Sequence, residues 1–471
     1  MINREIIVDN FAGGGGASTG IELAIGRSVD IAINHDPNAV AMHTTNHPDT
    51  LHYCESVYSV RPKVATAGRR VGLAWFSPDC RHFSKAKGAK PVEKAIRGLA
   101  WIVIRWALDV GPRVMMLENV EEFKTWGPLL AAEMRPDPER VGETFRAFVG
   151  MLTTGIPVNH PALAECCEFL ELSPDSDQAK RLIAGLGYDV DYRELRACDY
   201  GAPTIRKRFF MVMRRDGQPI VWPAATHGDP KSPAVISGKL APWRTAAECI
   251  DWSIPAPSIF GRKKPLAENT LLRIARGIQR FVIDSAEPFI VKCNHTTTKG
   301  QYDCFRGQSL AEPLQTITKT HGFAVAVPHL TKFRTGATGQ PITEPMPTIT
   351  AGGQHVGEVK TTLAVQDYDE ERAQQVLAFL KEYCGADSTG LVEIAGVTYR
   401  IVDIGMRMLQ PHELYRAQGF PTWYIIDQDY RGVKYAKDKQ VARCGNAVPP
   451  PFAEALVKAN LPEMCYKKKA A

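Results

Sequence analysis

Apolar and polar positions along the 471-residue chain fall into two textures. In the first, short apolar runs alternate with stretches whose apolar residues recur at helical spacing. Ile6-Ile7-Val8 reads as a strand running to Asp9. A glycine run follows, and Thr19 to Ile25 reads as a helix. Val29 to Asn34 reads as a second strand and Pro37 to Thr45 as a second helix. Val71 to Phe76 is an apolar run with a strand at its end, Leu73 to Phe76. Pro91 to Val110 carries Ile96, Leu99, Val103, Trp106 and Val110 at helical spacing. Val114 to Leu117 and Phe209 to Arg214 read as strands, and Thr144 to Thr154 and Asp177 to Leu186 as helices. Strands alternating with helices predict an α/β fold: a Rossmann-like open, mostly parallel sheet with helices on both faces.

The second texture begins near Pro223. Residues up to about 395 are rich in Pro, Gly and Thr, with one helical period at Leu271 to Val282. From Val397 the alternating texture returns, ending in a helix from Phe452 to Ala459 and a basic tail. The pattern predicts a discontinuous α/β domain, residues 1–225 and 396–471, around an irregular β-rich unit, residues 226–395. That unit contains an echo. Residues 307–318, GQSLAEPLQTIT, match residues 339–350, GQPITEPMPTIT. Two copies are too few for a solenoid. They fit either two units gripping an extended partner or a duplicated structural hairpin.

Composition narrows the classes only a little. The formal charge of +6 permits a polyanionic partner without requiring one. Eleven cysteines with no Cys-x-x-Cys pair signal neither a disulfide framework nor a zinc knuckle. No apolar run approaches the roughly 20 residues of a membrane span, and the first residues lack the apolar region of a signal peptide. The expectation is a soluble cytoplasmic protein that spans no membrane.

Three loops carry candidate chemistry. Phe11-Ala12-Gly13-Gly14-Gly15-Gly16 sits between a strand and a helix, where glycines let a ligand approach the backbone. In such a fold the second strand normally ends in an acid that holds a ribose; here it ends at Asn34-His35-Asp36. His43 and His47 stand i, i+4, but no carboxylate lies between them, which favours surface or packing roles over a metal site. Cys80 follows the strand ending at Phe76, within Ser77-Pro78-Asp79-Cys80-Arg81-His82-Phe83-Ser84-Lys85-Ala86-Lys87-Gly88. Glu118-Asn119-Val120 follows the strand ending at Leu117. In an open parallel sheet these loops gather at one edge. Cys80 by itself remains open between nucleophile, metal ligand and core residue, since cysteine is among the most buried residue types.

Together these residues resemble a family, the DNA cytosine-5 methyltransferases. Six segments stand in that family's order. They are Phe11 to Gly16, Cys80-Arg81-His82-Phe83-Ser84, Glu118-Asn119-Val120, Thr204-Ile205-Arg206-Lys207-Arg208, Leu409 to Pro421 and Gly445-Asn446-Ala447-Val448. Residues 226–395 fall where the family keeps its variable target-recognition region. Several positions depart from the pattern. Asp79 stands for a proline, Arg81 for a glutamine and Thr204 for a glutamine. Asn34 stands near the ribose-binding glutamate, and Glu55-Ser56-Val57 in the region of the adenine-contacting aspartate.

The resemblance implies an S-adenosylmethionine-dependent methyltransferase acting on carbon 5 of a cytosine flipped out of duplex DNA. It implies Cys80 as nucleophile, Glu118 as partner of the ring nitrogen and exocyclic amine, Arg208 against the cytosine carbonyl oxygen, and Arg206 in support. Cofactor contacts are expected from Phe11, Ala12, Gly13, Gly14, Gly15, Gly16, Asn34, Asn446 and Ala447. DNA contacts are expected from Ser84, Lys85, Lys87, Arg306 and Arg334. No metal is implied. A monomer, bacterial or phage-encoded and of restriction-modification type, is the simplest expectation; whether it has an endonuclease partner stays open. Two other readings compete. A nicotinamide-dependent oxidoreductase would use the glycine loop but leaves Cys80 and Glu118 unexplained. A catalytically silent DNA-binding relative would have no use for them.

Overall fold

A computed structural model describes residues 4–79, 98–130, 135–284, 289–292, 307–309, 323–332, 340–351, 355–394 and 396–466. Seven strands pair into a first sheet. They are β1 (Ile6–Asn10), β2 (Ile31–Ile33), β3 (Leu51–Tyr53), β4 (Val71–Phe76), β5 (Val114–Asn119), β6 (Asp189–Arg196) and β7 (Lys207–Arg214), in the order β3-β2-β1-β4-β5-β7-β6. The first five run parallel, and β7 is antiparallel to both β5 and β6. Every residue of β1, β4 and β5 is buried. Strands covered on both faces have no water-facing side, so they read as continuous apolar runs. Edge strand β6 is mostly polar and has a single buried residue, Leu195, which is why no apolar run announced it.

Alternate residues feed two cores. Ile6, Val8, Phe76 and Met115 pack with Trp101, Trp106, Phe148, Leu163 and Leu182 on one face. These come from α3 (Trp101–Asp109), α4 (Glu143–Leu152), α5 (Pro161–Leu170) and α6 (Asp177–Ala184), which follow α1 (Gly16–Ile25) and α2 (Pro37–Asn46) along the chain. Ile7, Trp75, Met116 and Phe210 pack on the other face with Ile21 of α1 and with Phe452 and Leu456 of the last helix, Pro450–Asn460. Gly20 lies mid-helix because a Cβ there would stand 2.8 Å from the Ala453 Cβ. The expected doubly covered α/β sheet is the observed one.

The second sheet is antiparallel throughout: β8 (Phe289–Lys292), β9 (Gly307–Ser309), β10 (Phe323–Lys332), β11 (Gln340–Pro341), β12 (Val356–Ala364), β13 (Leu391–Ile394) and β14 (Val397–Met408). It differs from the sequence expectation in three ways. Two helices cover it, α7 (Glu268–Ile278) and α8 (Glu370–Cys384), and α8 was not anticipated. Its buried Ala373, Val376, Phe379 and Leu380 do lie at helical spacing, but they sit in a stretch whose Pro, Gly and Thr content suggested irregular chain. The sheet also runs past residue 395, because β14 pairs with β12 along its length. Finally, residues 226–243 stay with the first sheet: Thr226 N donates to the Asp199 carbonyl at 2.9 Å, and Trp243 Nε1 to Asp199 Oδ1 at 2.9 Å. Composition shifts mark where regular periods stop, not which sheet the chain joins.

The second copy of the echo is structural. Ile342, Met346 and Ile349 are buried in a core shared with Leu414, Tyr415 and Phe420. Met346 N donates to the Pro203 carbonyl at 2.9 Å, and Ile205 N to the Met346 carbonyl at 3.0 Å. This copy straps the two sheets together. The first copy lies outside the described residues beyond 309. Among the described residues no helix is long and apolar enough to cross a membrane.

Candidate active site

The strand register sets the site. Asn10 pairs with Phe76, Phe76 with Leu117, and Leu117 with Met211. One step beyond this row β1 and β4 leave the sheet at Phe11 and Ser77, whereas Glu118 and Asn119, expected from sequence to follow the strand, are the last two residues of β5 and pair with Phe210 and Phe209. Because β7 runs the opposite way, its start, with Arg208, lies at the same edge as the ends of β1, β4 and β5. Two loops are tied there directly. Asn119 Nδ2 donates to the Pro78 carbonyl at 3.3 Å, and Ser77 N to the Asn10 carbonyl at 3.3 Å. The segment Ser77–Pro78 is therefore held against the ends of both β1 and β5.

Glu118 and Arg208 meet at this edge. Arg208 Nε stands 3.1 Å from Glu118 Oε1, and both side chains are largely buried. Burial raises the proton affinity of Glu118 above that of an ordinary glutamate, while the Arg208 and Arg206 charges oppose the rise. Arg206 points elsewhere. Its guanidinium donates to the Ile349 carbonyl at 2.9 Å and to the Gly445 carbonyl at 3.0 Å. It thus fastens the strap at residues 340–351 and the Gly445 to Val448 segment to the start of β7.

The glycine loop turns at Phe11 (φ 63°), Gly13 (φ 53°) and Gly15 (φ 89°). A left-handed phenylalanine is uncommon and marks a turn held by its surroundings. The loop has one open and one closed side. A Cβ at Gly13 would meet nothing described nearer than the Phe11 carbonyl oxygen at 3.8 Å, whereas one at Gly16 would overlap the Val448 carbonyl. The open side is a cradle in which a ligand can approach backbone, so the loop fits a small-molecule cofactor. Ala12 N is engaged by the Ile33 carbonyl at 3.1 Å, which brings the loop against the end of β2. Asn34, at that end, spends its Oδ1 on Asp36 N at 2.9 Å, opening α2. Asn446 is exposed and Ala447 buried at the close of α10 (Lys437–Asn446), which follows α9 (Pro411–Ala417). A Cβ at Gly445 would overlap the backbone of Thr350 and Ala351.

Of the residues named from sequence, the structure gathers Phe11 to Gly16, Asn34, Glu118, Arg206, Arg208, Asn446 and Ala447 along one sheet edge and the segment behind it. Cys80, Ser84, Lys85, Lys87, Arg306 and Arg334 lie outside the described residues. His43 and His47 are not surface residues. They are buried, in hydrogen bonds to Ser18, Thr19 and Glu22. Among the described residues no group of three His, Cys, Asp or Glu side chains is placed to hold a metal ion. Asn119 is named from sequence only within Glu118-Asn119-Val120, with no role of its own, yet it ties β5 to the Pro78 segment; Tyr424, whose hydroxyl bonds the Gly14 carbonyl, is not named from sequence at all. A tyrosine four residues after Phe420 carried no signal by itself.

A family model described as C-5 cytosine-specific DNA methylase matches residues 6–126 and 175–461. Among curated proteins, the chain is 26% identical over 237 residues to the type II methyltransferase M.AgeI of Thalassovita gelatinovora, covering 49% of this chain and 43% of that protein. It is 26% identical over 226 residues to M.XorII of Xanthomonas oryzae pv. oryzae, covering 46% of this chain and 42% of that protein. It is 24% identical over 258 residues to M.AquIA of Picosynechococcus sp., covering 53% of this chain and 89% of that protein. The match thus spans less than half the length of the first two. Among solved structures, the S. pombe Dnmt2 methyltransferase is 13% identical at a TM-score of 0.45, covering 98% of this chain and 99% of that one. The Entamoeba histolytica methyltransferase EhMeth is 12% identical at 0.45, covering 98% of this chain and 100% of that one.

Proposed function

Because the chain belongs to the C-5 cytosine-specific DNA methylase family, we propose that it methylates carbon 5 of cytosine in duplex DNA, using S-adenosylmethionine. The observation that carries this reading is the Glu118–Arg208 pair, 3.1 Å apart at the sheet edge where the loop leading to Cys80 also begins. S-adenosylmethionine supplies an electrophilic methyl group when bound. The residues to hold it are Phe11 to Gly16, with Asn34, Asn446 and Ala447 around them.

The chain's own residues make the cytosine reactive. Carbon 5 of cytosine is a weak nucleophile. Addition of the Cys80 thiolate to carbon 6 forms a carbon–sulfur bond and pushes the ring electrons towards carbon 5. Charge also develops at the ring nitrogen and the carbonyl oxygen. Glu118 carries a proton to the ring nitrogen through one oxygen and accepts from the exocyclic amine with the other. Its burial favours the protonated form this requires. Arg208 meets the carbonyl oxygen. With the methyl group on carbon 5, loss of the proton there to a base and departure of the Cys80 thiolate restore the aromatic ring, and the ring nitrogen returns its proton to Glu118. The base must leave the helix to reach this edge, at an unstacking cost of a few kcal/mol.

The test is to incubate duplex DNA with labelled S-adenosylmethionine and map the modified bases. Label in 5-methylcytosine is expected. Absence of transfer to any cytosine, where the folded protein binds the cofactor, overturns the reading. A narrower prediction concerns Glu118. Glu118→Gln keeps the shape but cannot deliver the proton, and turnover is expected to fall about 100- to 1,000-fold with cofactor affinity unchanged. In the native enzyme the rate should decline as pH rises past the elevated titration of Glu118, since the deprotonated form lacks the donor. The single-turnover rate constant as a function of pH, with cofactor affinity measured by calorimetry, checks both statements.

A further inference from the structure

The last turn of α10 carries Asn446 towards the glycine loop, and a helix end leaves carbonyl groups that its own N–H groups do not reach. Ala447 N donates to the Arg443 carbonyl at 2.9 Å and to the Cys444 carbonyl at 3.2 Å. Two buried side chains complete the cap. Gln418 Nε2 donates to the Cys444 carbonyl at 3.1 Å, and Arg206 Nη2 to the Gly445 carbonyl at 3.0 Å. A cation at this end also meets the negative end of the helix dipole. Gln418 Oε1 meets no donor among the described residues. The bond to Cys444 is therefore what this buried side-chain amide contributes. Gln418 belongs to the segment Leu409 to Pro421, which the chemistry of the reaction does not use.

Backbone packs on backbone on both sides of the helix end. A Cβ at Gly16 would stand 2.2 Å from the Val448 carbonyl oxygen, so the turn after α10 rests directly on the glycine loop. A Cβ at Gly445 would stand 2.3 Å from Ala351 N, so the strap at residues 340–351 rests directly on α10. Neither glycine has a side chain to absorb a shift.

Arg206 ties the strap to the helix. Its Nη1 donates to the Ile349 carbonyl at 2.9 Å while Nη2 holds Gly445. The guanidinium is a rigid planar fork, so its two bonds fix these carbonyls relative to each other. The strap leads into the second sheet, where Gln340 pairs with Leu330 of β10. It is also bonded to the chain just before Arg206, through Ile205 N on the Met346 carbonyl at 3.0 Å and Met346 N on the Pro203 carbonyl at 2.9 Å. A move of the strap therefore reaches the end of α10 through Arg206 and Gly445, and the glycine loop through Val448.

We propose that Gln418 and Arg206 are positioning residues for the cofactor, which cap α10 and so set where Asn446 and Ala447 stand, and that Arg206 couples this site to the second sheet. This rests on the reading of Phe11 to Gly16, Asn446 and Ala447 as the S-adenosylmethionine site and of the second sheet as the unit that meets DNA. Coupling between two sites is reciprocal: DNA that firms the strap tightens the cofactor site, and cofactor tightens DNA by the same factor.

The test is the affinity for S-adenosylhomocysteine, measured by calorimetry on the full chain with and without a duplex carrying the mapped cytosine site. In the native protein, bound duplex is expected to raise that affinity at least about fivefold. Gln418→Met keeps the length and removes the donor. It is expected to weaken binding about tenfold, the scale of one lost hydrogen bond, and to keep the native ratio between the two conditions. Its loss should appear in KM for S-adenosylmethionine rather than in kcat, which a general loosening of the fold would not select. Arg206→Lys keeps the charge but lacks the fork, and its ratio is expected to fall to about one. Native affinity in folded Gln418→Met overturns the capping role. A native ratio of one, or a native ratio retained in folded Arg206→Lys, overturns the coupling. The native ratio needs no substitution, so it decides even where a variant does not fold. No binding by the native protein in either condition instead overturns the cofactor reading beneath the proposal.

Discussion

Replacing Cys80 by serine is expected to abolish methyl transfer, a loss on the order of 10,000-fold or more, and with it the covalent adduct to DNA carrying 5-fluorocytosine. Fluorine at carbon 5 cannot leave as the proton does, so a thiol that has added to carbon 6 stays trapped. A serine hydroxyl ionises far less readily than a thiol and does not add. The surroundings should survive the change. The backbone leading to Cys80 is fixed by Asn119 Nδ2 on the Pro78 carbonyl and by Ser77 N on the Asn10 carbonyl. Neither contact involves the sulfur. Cofactor affinity and melting temperature are therefore expected to stay near native values while the adduct band disappears from a denaturing gel. An adduct that persists in Cys80→Ser would remove Cys80 from the mechanism.

The second large effect lies away from the chemistry. Arg407, near the end of β14, is buried with two glutamates. Its guanidinium stands 2.8 Å from Glu358 Oε2 and 2.8 Å from Glu413 Oε1, and it donates to the Asp251 carbonyl at 3.1 Å. Glu413 also accepts from Asp251 N at 2.7 Å. The cluster joins the antiparallel sheet to the helix at Pro411–Ala417. Arg407→Ala strands two buried carboxyl groups and is expected to destabilise the fold by about 3–5 kcal/mol. Denaturant melts check this. Burial raises Glu358 from its ordinary 4.5 to about 7, against the pull of Arg407. The folded state thus binds that proton more tightly than the unfolded chain does. The associated stability is fully present below 4.5 and is lost as pH climbs through about 7. The cost of Arg407→Ala should accordingly be greatest above neutrality. Glu358→Gln should remove this group's share of the decline between those two values. A decline unchanged in Glu358→Gln would refute its assignment to this carboxyl.

Much of the first sheet was readable in advance because its strands are covered on both faces. Ile6 to Val8, Val71 to Phe76 and Val114 to Leu117 have no polar side to break the run. Edge strand β6 and helix α5 were not anticipated, the former because it is mostly polar with a single buried residue. In the second unit the helix Glu370–Cys384 was hidden by its neighbours' composition. Val397–Met408 was assigned to the returning domain because its apolar spacing does not say which partner strand it pairs with.

The candidate site divides along the same line. Glycines at a strand end, a cysteine after one strand, a glutamate after another and paired arginines are properties of the chain, and their order alone carried the resemblance. That Arg208 reaches Glu118 while Arg206 turns to Ile349 and Gly445 depends on β7 running antiparallel, which no local pattern encodes. The same holds for His47. As a sequence feature it was one of two histidines on a helix. Its partners Thr19, Glu22 and Tyr424 come from distant parts of the chain. Local residue types set what each group can donate, accept or attack. Only the packing of sheet on helix decides which donor meets which acceptor, because burial removes water as the alternative partner.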